Sequence, residues 1–264
     1  YLIYLCIEYP AAGIPILTVV IILFIISANK GNTIRQNFVI RKVMKTQAQS
    51  EIIKNVRKIM EEDPGFSEAD LLSRAKNAFL KIQKAWNNRD MREVATFISD
   101  GVNERFTTLL DIYKASGIKN RTEGTRVLSV ELLALEADKF FQTAHVKITA
   151  SAIDYFTTAE DRERIVRGKT APEPFTEIWT FLRRRWAETR NQTGTIENFC
   201  PNCGNPLKIS DSTICPTCKA VVNSGEYDWV PSVTSQEYEC DYKSRFEIPG
   251  LMALMEKDPA FNPA

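Results

Sequence analysis

Residues 61–106 read EEDPGFSEADLLSRAKNAFLKIQKAWNNRDMREVATFISDGVNERF. Asp63-Pro64 forms a turn, because proline disfavours helix at the residue before it. Ser67 is then a good N-cap, and Asp70 three residues on completes a capping box. Phe66 before the cap and Leu71 inside the helix make the matching hydrophobic staple. Leu71, Leu72, Ala75, Ala78, Phe79, Ile82 and Trp86 follow with helical spacing. Asn87 to Asp90 breaks this helix. A short second helix is expected around Val94, Phe97 and Ile98, and a third around Phe106, Leu109, Leu110 and Tyr113. The stretch contains no nucleophile–base pair and no phosphate loop.

The strands come afterwards. Arg126 to Glu136 alternates well enough for one. Phe140 to Tyr155 is the next, with Ala144, Val146, Ile148, Ala150 and Ala152 on one face. Residues 163–169 are short and ambiguous. Glu173 to Arg185 is strand-like, with Trp179 and Phe181 on one face, and Tyr227 to Tyr238 reads as its antiparallel partner. Pro231 cannot donate a ladder hydrogen bond, which points to an edge or a bulge. Helices first and strands after give an α+β class with an antiparallel sheet.

The capped DPGFS turn, the long helix ending in Lys84-Ala85-Trp86, the short helix and the strand-rich tail resemble the family of the mitochondrial inner-membrane import-motor scaffold, translocase subunit forty-four, in its bacterial branch. The resemblance covers about residues 55–240. It implies a nuclear-transport-factor-two-like cone, with helices on a curved antiparallel sheet over residues 61–240. It also implies a scaffold role in protein transport or membrane-protein handling, with a translocon or chaperone as partner.

Cys200-Pro-Asn-Cys203-Gly and Cys215-Pro-Thr-Cys218 are the strongest chemical signal. Two Cys-x-x-Cys knuckles eleven residues apart suit a tetrahedral Zn²⁺ held by four thiolates. With no open coordination position, that zinc is structural. The ribbon, residues 197–222, lies between the two strands with the best pairing pattern and so reads as an insertion in the cone. The founding scaffold lacks it. Cys6 and Cys240 read as free thiols. The ribbon carries only Lys208 and Lys219 as basic residues, which weighs against nucleic acid. Arg183, Arg184, Arg185 and Arg190 next to it keep that alternative open.

Ahead of the cone, residues 9–28 read YPAAGIPILTVVIILFIISA, without a charge. Twenty residues at 1.5 Å each span about 30 Å, the thickness of a bilayer core. Residues 1–29 are therefore a membrane segment, as a single span or half of a hairpin. Residues 30–60 carry eight basic residues against one acidic and form a basic juxtamembrane helix. Lys30, Arg35, Arg41, Lys42 and Lys45 are candidates for contact with anionic lipid headgroups. Their excess after the span places the long C-terminal part in the cytoplasm, at the plasma membrane of a prokaryote.

Total charge is balanced, 34 basic residues against 33 acidic. His145 is the only histidine and is expected to be a partly exposed structural residue. Asp154, Glu131 and Glu177 are the candidate general bases, and no spacing pairs them. No catalytic residues are assigned, and the chain is read as a non-enzymatic binding or scaffold protein. A small-ligand or enzymatic pocket in the cone is the alternative. Residues 241–264 read as a linker and the start of a second copy. Residues 254–264, LMEKDPAFNPA, match residues 59–69, IMEEDPGFSEA, at six of eleven positions, so a further cone is expected beyond.

Overall fold

The computed structural model describes residues 49–159, 164–189, 194–210 and 212–239. The candidate span, Lys30, Arg35, Arg41, Lys42, Lys45, Cys6, Cys240, Arg190 and the repeat at 254–264 lie outside these. Among the described residues no helix is long and apolar enough to cross a membrane.

Helix α1 runs to residue 62, α2 spans Glu68–Asn88 and α3 spans Asp100–Ala115. Five strands follow: β1 Ile118–Ala137, β2 Phe141–Thr158, β3 Ile165–Gly168, β4 Glu173–Arg184 and β5 Val230–Gln236. They form one antiparallel sheet in the order β1-β2-β4-β5, with β3 pairing the far end of β2.

At the N-terminus of α2 the Ser67 half of the expected capping box is formed. The Ser67 hydroxyl accepts from the Asp70 amide at 3.2 Å, satisfying one orphan donor of the first turn. Phe66 and Leu71 are both buried in the main core. Ala75, Ala78, Phe79 and Ile82 present one apolar face to Ala144, Val146, Ile148 and Ala150 of β2. Alanines on both sides let helix and sheet approach closely, and Phe79 meets Trp179 with ring centroids 5.6 Å apart. The expected alternation of β2 holds along its buried face.

Two expectations need correction. The segment around Val94, Phe97 and Ile98 is not a helix. It is a 3₁₀ turn over Met91–Glu93 followed by turns, and all three side chains are fully buried. A short connection that buries nearly every side chain has no polar face to give it helical periodicity. The first strand begins at Ile118, not near Arg126, because its polar opening is held by pairing with β2, Asn120 opposite Phe156 and Arg121 opposite Tyr155. Pro231 does lie on an edge strand, and the ladder shifts register between Thr180 and Phe181, opposite it.

One ion pair ties the opening turn to the sheet. Arg183 of β4, 1% exposed, meets the Asp63 carboxylate at 2.9 Å. The same guanidinium donates to Gln142 Oε1 and Thr189 Oγ1, while the Thr189 amide and hydroxyl donate to Asp63. Burial opposes the charge on Asp63, but the Thr189 hydrogen bonds and Arg183 prevail and hold its pKa below the usual value. Burial in turn lowers the pKa of Arg183, against the pull of Asp63. Gly65 completes the turn, since a Cβ there would come within 2.9 Å of the Thr189 carbonyl oxygen.

Asp63→Ala strands this guanidinium in the core and is expected to cost about 3–5 kcal/mol in urea unfolding. Asp63→Leu combined with Arg183→Met should recover most of that loss. A cost below about 1 kcal/mol for the single variant would mean the pair does not hold the fold together.

Candidate functional site

The four cysteines converge. Their sulfurs all lie within 4.8 Å of one another, with Cys200–Cys218 at 3.6 Å and Cys203–Cys215 at 3.8 Å. A tetrahedral ion with bonds of about 2.3 Å separates its sulfurs by about 3.8 Å, so the donor set fits a metal of that kind.

The two knuckles are built alike. The Cys200 amide donates to Asn205 O and its carbonyl accepts from Gly204 N; the Cys215 amide and carbonyl do the same with Ala220 O and Lys219 N. Gly204 and Lys219 occupy equivalent places with left-handed φ of 73° and 65°. Glycine suits that conformation and lysine adopts it at a cost. One antiparallel bridge closes each knuckle, Phe199 to Pro206 and Ile214 to Val221. Leu207 and Val222 pack with Cys200 and Cys215 in a small core of their own.

Side-chain amides form an outer layer around the sulfurs. Asn205 donates to Cys203 at 3.3 Å, and Asn202 to Cys218 at 3.5 Å. The Asn205 bonds hold the Cys203 thiol down to about 6, whereas burial pushes Cys200 up to about 12. Spacing identified the four cysteines and Gly204. The asparagines and Lys219 carry no comparable sequence signal.

The ribbon stems enter the cone. Ile196 and Trp229 belong to the main core. Arg74 of α2 pairs with Asp228 at 2.7 Å, and Lys81 donates to the Ile196 carbonyl. Asn223 donates to Ile98 O and Asp100 Oδ1 at the start of α3.

The second feature is a groove of about 620 Å³ between the helices and the sheet. Ile82, Trp86, Phe106, Leu109, Phe175 and Trp179 give it an apolar middle. Its polar ends are set by register. Glu177 lies opposite Ile148, and Asp154 is six residues further along β2, so about 20 Å separates them at 3.3 Å per residue. At one end Glu177 accepts from Trp179 Nε1 and Gln236 Nε2 at 2.7 and 2.8 Å. At the other, Trp86 Nε1 donates to Asn120, which donates to Asp154 at 2.6 Å. Lys169 pairs with Glu173, and Arg105 donates to Thr234 O.

Of the candidate bases, Glu177 and Asp154 therefore share the groove at opposite ends. Glu131 is exposed on β1. His145 is half-buried, with Nδ1 3.0 Å from Thr180 Oγ1, and does not line the groove. The arginines beside the ribbon also have structural partners. Arg183 is buried against Asp63, Arg184 stacks on Phe141 and Trp186, and Arg185 pairs with Glu62.

Fold and site together define an α+β cone with an apolar side groove and a separate pair of cysteine knuckles. The Tim44-like domain family matches residues 53–195, more than half of the chain, and the chain belongs to that family. The matched residues end before Cys200, so the cysteine cluster and β5 lie beyond them. No curated protein matches the chain. Among solved structures, the intermembrane-space region of the chloroplast protein ARC6 is similar at 10% identity, over 62% of this chain and 95% of that one, with a TM-score of 0.34.

Burial raises the pKa of Glu177 above its ordinary 4.5, against the bonds from Trp179 and Gln236. The folded state therefore holds this proton more tightly than the unfolded chain, and the group costs stability as pH rises from 4.5 through the folded value. Glu177→Gln should be more stable than the parent at pH 8 and lose that advantage below pH 4.5. Thermal unfolding across this range tests it; an unchanged difference at every pH would show that Glu177 ionises freely.

Proposed function

We propose that this chain is a membrane-tethered, non-enzymatic scaffold in protein transport or membrane-protein handling. Its cone binds a protein or peptide partner, a translocon component or chaperone. The observation that carries this reading is the groove. Glu177, Asp154, Asn120 and Glu173 at its polar ends already have protein partners, which leaves the apolar middle between α2, α3 and the sheet to supply affinity. Apolar anchors from a partner segment suit such a site. Membership of the Tim44-like family supports the transport role. Against a catalytic pocket stands Glu177, whose two oxygens are already engaged. Against nucleic acid stand the committed arginines beside the ribbon.

The anchor is the uncharged segment at residues 9–28, with Lys30, Arg35, Arg41, Lys42 and Lys45 on anionic lipid and the cone in the cytoplasm of a prokaryote. The cysteine ribbon holds one structural Zn²⁺.

A photo-crosslinker placed at Phe106 or Leu109 in native membranes should capture a protein partner, and one at Leu128, 59% exposed on β1, should not. Equal capture from both places, or none from the groove, would overturn the groove as the partner site.

Purified protein should carry one zinc per chain by elemental analysis, and Cys203→Ser should release it. Chelation should disorder the knuckles while the α2–sheet core remains folded, as read by amide exchange. Exchange of the whole cone on chelation would mean that the metal holds the fold itself.

A further inference from the structure

Strand β5 borders the groove and then leads the chain out of it. Gln236, its last residue, lines the groove opposite Glu177 and donates to it at 2.8 Å. The described residues end at Glu239, whose carboxylate accepts from the Gln236 amide at 3.0 Å and is near enough to help raise the Glu177 pKa. Residues 240–264 therefore set out from the Glu177 end of the groove.

Their sequence opens CDYKSRFEIPG. Tyr242, Ser244, Phe246 and Ile248 alternate with the charged Lys243, Arg245 and Glu247, which is the period of an extended segment with one apolar side. Pro249-Gly250 closes the pattern. Phe246 stands seven residues past Glu239, a reach of up to about 24 Å. The groove runs about 20 Å from Glu177 to Asp154. Phe246 and Ile248 are thus within range of the apolar middle, where Trp86, Phe106 and Phe175 line the channel.

Charge favours the same path. Lys243 and Arg245 precede the two apolar residues and so would pass the end where Glu177 and Glu239 lie. Glu177 accepts from Trp179 and Gln236, and Glu239 from a backbone amide. These donors are neutral and cancel neither charge, and Arg105 of α3 offsets only part of that on Glu177. A short tether also gives an effective concentration of about millimolar, so contacts too weak to hold a free peptide suffice to fill the groove.

We propose that, in the partner-free protein, residues 242–248 occupy the groove of their own chain, with Phe246 and Ile248 seated in its apolar middle. The segment is then an internal competitor that a partner with stronger anchors must displace. The proposal rests on the scaffold reading only for what does the displacing.

The test uses the purified full chain in phosphatidylcholine nanodiscs, with an alkyl diazirine amino acid at Leu109 in the groove. After illumination and trypsin digestion, Leu109 should be joined to the peptide that begins at Phe246, to the same extent at tenfold lower protein concentration. The same label at Leu128 should not make this link. Phe246→Asp combined with Ile248→Asp should cut the link about tenfold or more, since each change removes the apolar burial that seats the segment. Both positions lie outside the cone residues described above, so the variant leaves their packing intact. Absence of the link, a link that falls with dilution and so joins two copies, or a variant that links like the parent would overturn the proposal. Loss of partner capture in native membranes with this link intact would remove the scaffold reading alone.

Discussion

The buried contact between Asp63 and Arg183 is the constraint on which the rest of the cone depends. Asp63 belongs to the turn before α2, and Arg183 is the last residue but one of β4 in the sheet. Their pairing fixes where α2 starts relative to the strand it must cover. Phe66 and Trp229 lie 6.1 Å apart, and the Arg183 guanidinium sits 4.9 Å over the Trp229 ring, so apolar area and cation share one site. Gly65 leaves room for the Thr189 backbone, whose amide completes the carboxylate's hydrogen bonds. A buried pair of this kind contributes more to specifying one arrangement than to raw stability, because desolvation opposes the attraction. The opposed effects on Arg183 reflect that balance directly.

Much of the fold was legible because it rests on local chemistry. Ser67 caps through its own hydroxyl, and β2 alternates because one face packs under α2. The cysteine cluster was legible for the same reason, since Cys-x-x-Cys spacing is itself the geometry of a knuckle. What stayed hidden depends on distant partners. Arg183, Arg184 and Arg185 form a run that resembles a solvated basic patch, yet the run is divided among a buried carboxylate, two aromatic rings and a surface ion pair. The opening of β1 is hidden likewise. Asn120 and Thr122 face inward because Trp86, Gln83 and Asn87 of α2 meet them there. No alternation within the strand reveals that. The groove followed the same rule: Glu177 and Asp154 were visible as carboxylates, but only register shows that they cap two ends of one apolar channel.

The ribbon is less separate than an insertion between two paired strands suggests. Its outgoing stem supplies Trp229 to the main core, and the Arg184 amide donates to Gly225 O, stitching the stem to β4. Its incoming stem supplies Ile196, held from α2 by Lys81. The knuckles thus stand on a base that the cone's own packing fixes. This is why a small cluster of Cys200, Leu207, Cys215 and Val222, too small to fold alone, can sit in a defined place.

That base also reaches the groove. Val222 packs against the cysteines, and its neighbour Asn223 bonds the Ile98 carbonyl and the Asp100 carboxylate. Ser99 between them caps α3, and its amide donates to the Pro231 carbonyl on β5. The N-terminus of α3 is therefore held by the ribbon stem and the edge strand together. From there α3 turns Arg105, Phe106, Leu109 and Tyr113 toward the sheet as one wall of the groove. Its far half is held as well, by edge-on ring contacts of Trp86 with Phe106 and Tyr113 and of Tyr113 with Phe156. The cysteine cluster and the groove wall are consequently joined by a short run of packed and hydrogen-bonded residues.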